Sequence, residues 1–333
     1  MINNSKISII NDNFYVRMGS TWILDSIYLF FIMPLGLIGL VLNTFSLYVI
    51  LKININIPIY RYLKIYCLNS SLICFLAIFS FYGNFTIRFT GIKTDLFARI
   101  YRCFIVNYVA TSLYFYGNML DIVIVIDRLS IFVNFFKKLS KINPLNISIF
   151  LAIICFTINL PTFFRFRLKS DEEILYDFTE SSINSSYLAF GICGSWYLHD
   201  NIIIVGLNII GRDLLTLFLE IIFSILSVIY FIRFKESRKS IKIQSVKDKK
   251  MTDKADDNRL SAMTRFLLII SLITHIAACI AFFFFFTLER LTLHYFIMIA
   301  NLSIVIKHSI NFFIFYHFNK NFKSIFSKLF KNE

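Results

Sequence analysis

Seven separate stretches of this chain are each long and apolar enough to cross a bilayer, and that pattern constrains the fold more than any other feature. A spanning helix needs about 20 predominantly apolar residues. The stretches that qualify run over residues 24–51, 60–82, 103–127, 145–164, 207–232, 263–286 and 293–318. The fifth is the weakest, because it contains Arg212, Asp213 and Glu220. Composition points the same way: the 333 residues are 57% hydrophobic and only 16% charged, whereas a soluble domain is about 45–50% apolar and about 25% charged. One core of ordinary surface-to-volume ratio could not hide that much Phe, Ile and Leu. The expected fold class is all-α, a seven-transmembrane helix bundle over 24–318. Residues 1–23 precede it, and a short amphipathic helix and tail follow over 319–333. The first ten residues mix Asn, Ser and Lys with Ile, so no cleavable signal peptide is expected and the first span serves as its own targeting signal.

The net charge of +14 raises the question of nucleic acid. The basic residues lie in short segments between long apolar spans, the arrangement that the positive-inside rule produces, so no nucleic-acid partner is expected. With the amino terminus placed outside, the inner side collects 21 basic residues against six acidic ones, eleven of the basic ones between Arg233 and Arg265. The outer side has ten of each. This predicts a multi-pass plasma-membrane protein with its amino terminus outside, its carboxyl terminus cytoplasmic and a third inner loop over 233–262. The glycosylation sequons at Asn3, Asn84 and Asn184 all fall on outer segments in that orientation. Of the six cysteines, Cys67, Cys74, Cys155 and Cys279 lie within spans, where small buried hydrophobes are the simplest reading. Only Cys103 and Cys193 face the oxidising side, and a disulfide between them is expected.

The spacing of several residues resembles the rhodopsin-like G-protein-coupled receptors. Cys103 at the start of the third span is followed by Asp127-Arg128-Leu129, with Arg128 25 residues after the cysteine, similar to that family's outer cysteine and Asp-Arg-Tyr motif. Asn43 in the first span, Pro161 at the end of the fourth and Asn311 to Phe315 in the seventh stand where the family has its own marks. Phe322 follows seven residues after Phe315, like the first anchor of the family's juxtamembrane helix. There are departures. Cys74 replaces the acid of the second helix, and the fourth-helix Trp and the prolines of helices five, six and seven are absent. That erosion, together with Arg212-Asp213-Leu214-Leu215 and Asn311 to Tyr316, resembles the divergent nematode serpentine chemoreceptors. The resemblance implies an extracellular ligand, a heterotrimeric G protein as partner, no cofactor and no metal. It also implies that Arg128 pairs with Asp127 at rest and meets the G protein when active, with Asn311 and Phe315 part of the same coupling machinery. Interfacial snorkelling of Arg128 is the alternative.

Ionisable groups inside a membrane cost about 2.5–3.5 kcal/mol each at a helix centre, so they default to paired or functional status. Asp121 lies seven residues before Arg128, on a similar face about two turns deeper. Lys307 lies four residues before Asn311. Since neither has an obvious local partner, an interhelical Asp121–Lys307 ion pair is expected, within an intramembrane polar network that includes Asn43. Satisfaction of Lys307 by Asn side chains or backbone carbonyls is the alternative. Asp213 and Glu220 are seven apart and share a face, and Arg212 is placed to neutralise one of them.

Ala110 occupies the position where amine receptors, by the same resemblance, carry an Asp. The expected ligand pocket is therefore lined by Asn107, Thr111, Tyr114, Phe115 and Asn301, with Arg212 and Asp213 at its mouth. It is mostly apolar with a few polar groups, as ligand sites usually are. The apolar series Phe318, Phe322, Ile325, Phe326, Leu329 and Phe330 alternates with Lys320, Lys323, Lys328 and Lys331, an amphipathic helix suited to lying on anionic membrane lipids. No phosphate loop, metal spacing or nucleophile elbow is present, so no enzyme is expected. A transporter or channel competes through the intramembrane charges, and a neuropeptide receptor competes with a chemosensory one through the acidic second outer loop.

Overall fold

The structure is a computed structural model that describes residues 26–53, 58–89, 96–130, 133, 136, 138, 142–168, 193–195, 214–241, 249–283 and 290–330. It is almost entirely helical. Helix α1 (Met33–Lys52) follows a π-helical turn at Tyr28–Ile32, with Pro34 in its first turn, where a missing N–H costs nothing. Helix α2 spans Pro58–Phe89. Helix α3 (Thr111–Leu129) is entered through a helical turn at Leu96–Ile100 and a π-helical stretch at Tyr101–Ala110. Helix α4 is Pro144–Arg165, α5 Leu215–Ile241, α6 Lys249–Phe283 and α7 Arg290–Ser309. Helices α8 (Asn311–Phe318) and α9 (Lys320–Phe330) complete the chain. A hydrocarbon solvent offers backbone N–H and C=O groups no partner, so a membrane chain bonds them within its own helices.

Among the described residues, five helical stretches are long and apolar enough to cross a membrane: Leu29–Lys52, Ile59–Phe79, Cys103–Leu129, Pro144–Phe164 and Tyr295–Phe318. Within α5 and α6 the apolar part is shorter, Leu215–Tyr230 and Ala262–Ala277. The chain is thus a multi-pass helical membrane protein. Its outward faces carry Phe31, Val41, Ile153, Phe218, Ile273 and Phe313, all more than half exposed, as suits a surface meant for lipid. Cys103–Leu129 is the most enclosed of the five, with the other helices arranged around it.

Three features depart from the sequence expectation. The third inner loop, expected over 233–262, is largely helix, because α5 continues to Ile241 and α6 begins at Lys249. The Lys, Arg, Glu and Ala residues there are good helix formers even where nothing apolar is buried. Pro161 lies inside α4, which runs on to Arg165. Two three-residue strands, β1 (Phe166–Leu168) and β2 (Cys193–Ser195), pair antiparallel with Leu168 opposite Cys193, a small exception to an all-α fold.

Small residues bring α1 against its neighbours. A Cβ added at Gly36 would lie 3.0 Å from the Cys74 carbonyl, and one at Gly39 would overlap the Ser309 hydroxyl and stand 2.7 Å from Cys74 Sγ. Close approach of helices through such positions is the usual packing device in lipid, where no hydrophobic force drives association.

The seventh span is broken. α7 ends at Ser309 and α8 starts at Asn311, with Ile310 between them at φ −86° and ψ −3°. No proline is present there. Instead, the His308 carbonyl accepts hydrogen bonds from the side-chain amides of Asn43 (2.7 Å) and Asn311 (3.1 Å). Side chains inserted into the backbone ladder interrupt a helix as proline does.

Candidate functional site: a buried ring of polar side chains

The expected Asp121–Lys307 ion pair is present at 2.7 Å between Nζ and Oδ2, with both side chains essentially inaccessible. Lys307 does not stop there. Its ammonium also donates to Asn118 Oδ1 at 2.8 Å and to Ser271 Oγ at 2.7 Å. Ser271 in turn donates to Glu220 Oε1 at 2.7 Å. The second oxygen of Glu220 meets His275 Nδ1 at 2.8 Å, and His275 Nε2 meets Asn118 Nδ2 at 2.7 Å. Five side chains from α3, α5, α6 and α7, namely Lys307, Asn118, His275, Glu220 and Ser271, therefore form a closed ring in the interior, and Asp121 joins it through Lys307. Both readings of Lys307 hold together, since it has a carboxylate and an asparagine at once.

Helical register explains why these residues can meet. Asn118 and Asp121 are three apart on α3, and Ser271 and His275 are four apart on α6, so each pair shares a face. Lys307 and Glu220 each supply the single charged group that their helix turns inward at this level. Tyr114 lies one turn from Asn118 and places its ring 5.7 Å from that of His275.

A second, uncharged network lies about 100° round α7 from Lys307. Asn311 donates to Asn43 Oδ1 (3.2 Å) and to Ser70 Oγ (3.0 Å). Ser70 Oγ also meets His308 Nδ1 at 2.9 Å, and Asn43 donates to the Gly39 carbonyl at 2.7 Å. Cys74, in place of an acid, contributes only long sulfur contacts of 3.9 Å to Asn43 and Ser309. Gly117 on α3 closes this side, because a Cβ there would lie 2.9 Å from Asn69 Nδ2 and 3.3 Å from His308 Cε1.

At the end of α3, Arg128 Nη2 contacts Asp127 Oδ2 at 3.3 Å with both side chains over nine-tenths buried. Phe315 is fully buried and its ring lies 6.0 Å from Phe322, the first aromatic of α9. Asn319 accepts from the Phe322 N–H and from the Tyr60 hydroxyl, both at 3.1 Å, which caps α9 and ties it to α2.

The expected ligand-pocket residues are less coherent. Asn107 and Thr111 lie at the π-helical entry to α3, where Thr111 Oγ1 donates to the Val106 carbonyl at 3.3 Å. Tyr114 faces His275, but Phe115, rotated by about 100°, is 4% exposed and enclosed in the main apolar core with Tyr66, Cys67 and Leu120. Asn301 is half-buried on α7. Arg212, Asp213, Asn3 and Asn184 lie outside the described residues. Asn84 falls in the last turns of α2, which continues past the expected end at 82. Glu220, expected on an inward face, has Ser271 and His275 of the next helix as its partners. Cys103 is fully buried and is not among the four free cysteines Cys67, Cys74, Cys155 and Cys279.

Sequence reasoning missed Asn118, Ser271 and His275. Register could have pointed to Asn118 alone, three residues from Asp121 on the same face of α3. Among the described residues no group of three or more His, Cys, Asp or Glu side chains is placed to hold a metal. No protein-family model and no curated protein matches the chain.

Proposed function

We propose that this protein is a G-protein-coupled receptor of the rhodopsin-like kind, with seven spans, its amino terminus outside, and a chemosensory small molecule as its extracellular ligand. The observation that carries the reading is the buried Asp127–Arg128 pair at the end of the most enclosed helix, 25 residues after Cys103, with a charged ring about two turns deeper. A receptor needs a part that is strained or paired in one state and freed in another. Arg128 at a helix end, held by its neighbour, is such a part, and the basic helical extensions of α5 and α6 supply a charged rim for a partner helix. The Cys103–Cys193 disulfide belongs to this proposal. It is supported by the absence of Cys103 from the free thiols and by the place of Cys193 on a strand joined to the end of α4. Glycosylation at Asn3, Asn84 and Asn184 follows from the same orientation.

The test is a surface-tagged chain expressed with G-protein dissociation sensors and exposed to pooled small metabolites and pooled peptides, beside Arg128→Ala. A ligand-dependent signal lost in Arg128→Ala supports the receptor, and the active pool separates chemosensory from peptide ligands. Silence from a well-displayed protein counts against it. One observation favours a transporter as the second reading: Asp121, Glu220, Lys307 and His275 are joined in the membrane interior, as the groups of ion and proton pathways are. Charge movement without any G protein would select that reading.

A further inference from the structure

The ring of Asn118, Glu220, Ser271, His275 and Lys307, with Asp121 attached, has a direction, and it follows from donor and acceptor chemistry alone. An ammonium only donates. Lys307 places its three protons on Asp121 Oδ2, Asn118 Oδ1 and Ser271 Oγ, so none is left over. That fixes the Asn118 amide: its oxygen faces Lys307 and its NH2 faces His275 Nε2. Because the NH2 donates, Nε2 must accept and carries no proton. His275 is then the neutral tautomer with its proton on Nδ1, donated to Glu220 Oε2. Ser271, already accepting from Lys307, turns its own proton to Glu220 Oε1.

The closed ring of Lys307, Asn118, His275, Glu220 and Ser271 therefore offers a proton the bare Nε2 of His275, and filling it breaks the bond to Asn118 alone. A proton taken from water onto Nε2 would set two donors, Nε2–H and the Asn118 NH2, against each other at 2.7 Å. Rotating the amide does not relieve this, since it would point the NH2 at the Lys307 ammonium. The contact between α3 and α6 has to open. The contact between α6 and α5 strengthens at the same time, because the imidazolium on Glu220 becomes a charge-assisted pair.

We infer that this ring is a proton-binding switch in which one proton on His275 transfers α6 from its tie to α3 at Asn118 to its tie to α5 at Glu220. α6 is packed against α3, α5, α7 and α8. α3 presents Asp121 and, as a ring contact, Tyr114. α5 presents Glu220, and α7 presents Lys307, with His308 turned about 100° away towards Ser70. α8 meets α6 at Phe266 and Phe318, about two and a half turns away, so its Tyr316 and His317 stay clear of the ring. The switch itself does not depend on the receptor reading; only its effect on signalling does.

The test uses the full chain in lipid nanodiscs with 15N-labelled histidine, followed by NMR from about pH 8 to about pH 5, the range in which histidine changes charge. One signal, absent from His275→Gln, is expected as the Nδ1–H neutral form at high pH, becoming imidazolium on acidification. Asn118→Leu removes the donor to Nε2, so the same signal should lose its preference for the Nδ1–H form. Should His275→Gln fail to accumulate, that loss in Asn118→Leu assigns the signal. An Nε2–H tautomer, an imidazolium at every pH, or a tautomer that Asn118→Leu leaves unchanged would overturn the switch. In cells, the open-to-closed ratio is expected to rise about tenfold per pH unit of acidification through the transition, with basal signalling following it in the wild type and flat in His275→Gln. The expected NMR behaviour with no signalling change upholds the switch and counts against the receptor.

Discussion

Lys307 and His308 are neighbours in the chain, yet they serve two networks of different character. Lys307 faces α3, α5 and α6 and organises a ring that, with Asp121 attached, brings together two carboxylates and an ammonium. His308 faces α1 and α2, where Asn43, Ser70 and Asn311 satisfy one another with neutral hydrogen bonds. Both are wholly enclosed, so water rescues neither if a member is lost. What differs is the state left behind. Breaking a neutral bond leaves an unsatisfied dipole, whereas breaking the ring at its cation leaves buried carboxylates with no counter-charge. The neutral side is built for permanence. The charged side holds as tightly while complete, and fails abruptly when one member changes.

The largest expected effect tests that contrast directly. Lys307→Met should cost about 3–5 kcal/mol, because removing one partner strands a buried charge. Surface yield and thermal unfolding in detergent should both fall, and adding Asp121→Asn should restore part of the loss. If the double variant is as unstable as the sum of its singles, the ion pair is not what holds the ring. Asn311→Ala, on the neutral side, should cost about 1–3 kcal/mol for the donors and acceptors it orphans. A double-mutant cycle with Asn43→Ala should show coupling of about 0.5–3 kcal/mol, and strict additivity would separate the two residues. Gly39→Ala probes packing without touching a polar group. Overlap with Ser309 and Cys74 predicts a loss of about 1–3 kcal/mol, read as a lower melting temperature. The smallest effect belongs to the lipid face, where Phe313→Leu at a position 59% exposed should stay within about 0.5 kcal/mol. A large drop there would mean that Phe313 meets protein instead of lipid.

Much of this was legible in the sequence for a simple reason. Apolar stretches of membrane length have few alternatives, and the five spanning stretches lie close to where hydropathy put them, whereas the apolar parts of α5 and α6 are shorter than expected. The Asp121–Lys307 pair was readable because two isolated buried charges have to find each other. His275 was not, because one imidazole among scattered histidines looks the same whether it faces lipid, core or a carboxylate. Asn118 and Ser271 were harder still, in a chain so rich in Asn and Ser that no single one stands out. The extension of α5 to Ile241 and of α6 from Lys249 was not legible in hydropathy, which marks only the apolar part of a helix, although Lys, Arg and Glu sustain a helix well.

The interruption at Ile310 also divides the molecule mechanically. Beyond it, α8 and α9 are fastened by Phe312 and Phe326 to Phe45 of α1, and by Asn319 to Tyr60 of α2. Before it, α7 is fastened through Lys307 to α3 and α6. The carboxyl-terminal helices therefore share their anchorage with α1 and α2, while the charged ring anchors α7 to α3 and α6, so the two ends of the seventh span answer to different neighbours.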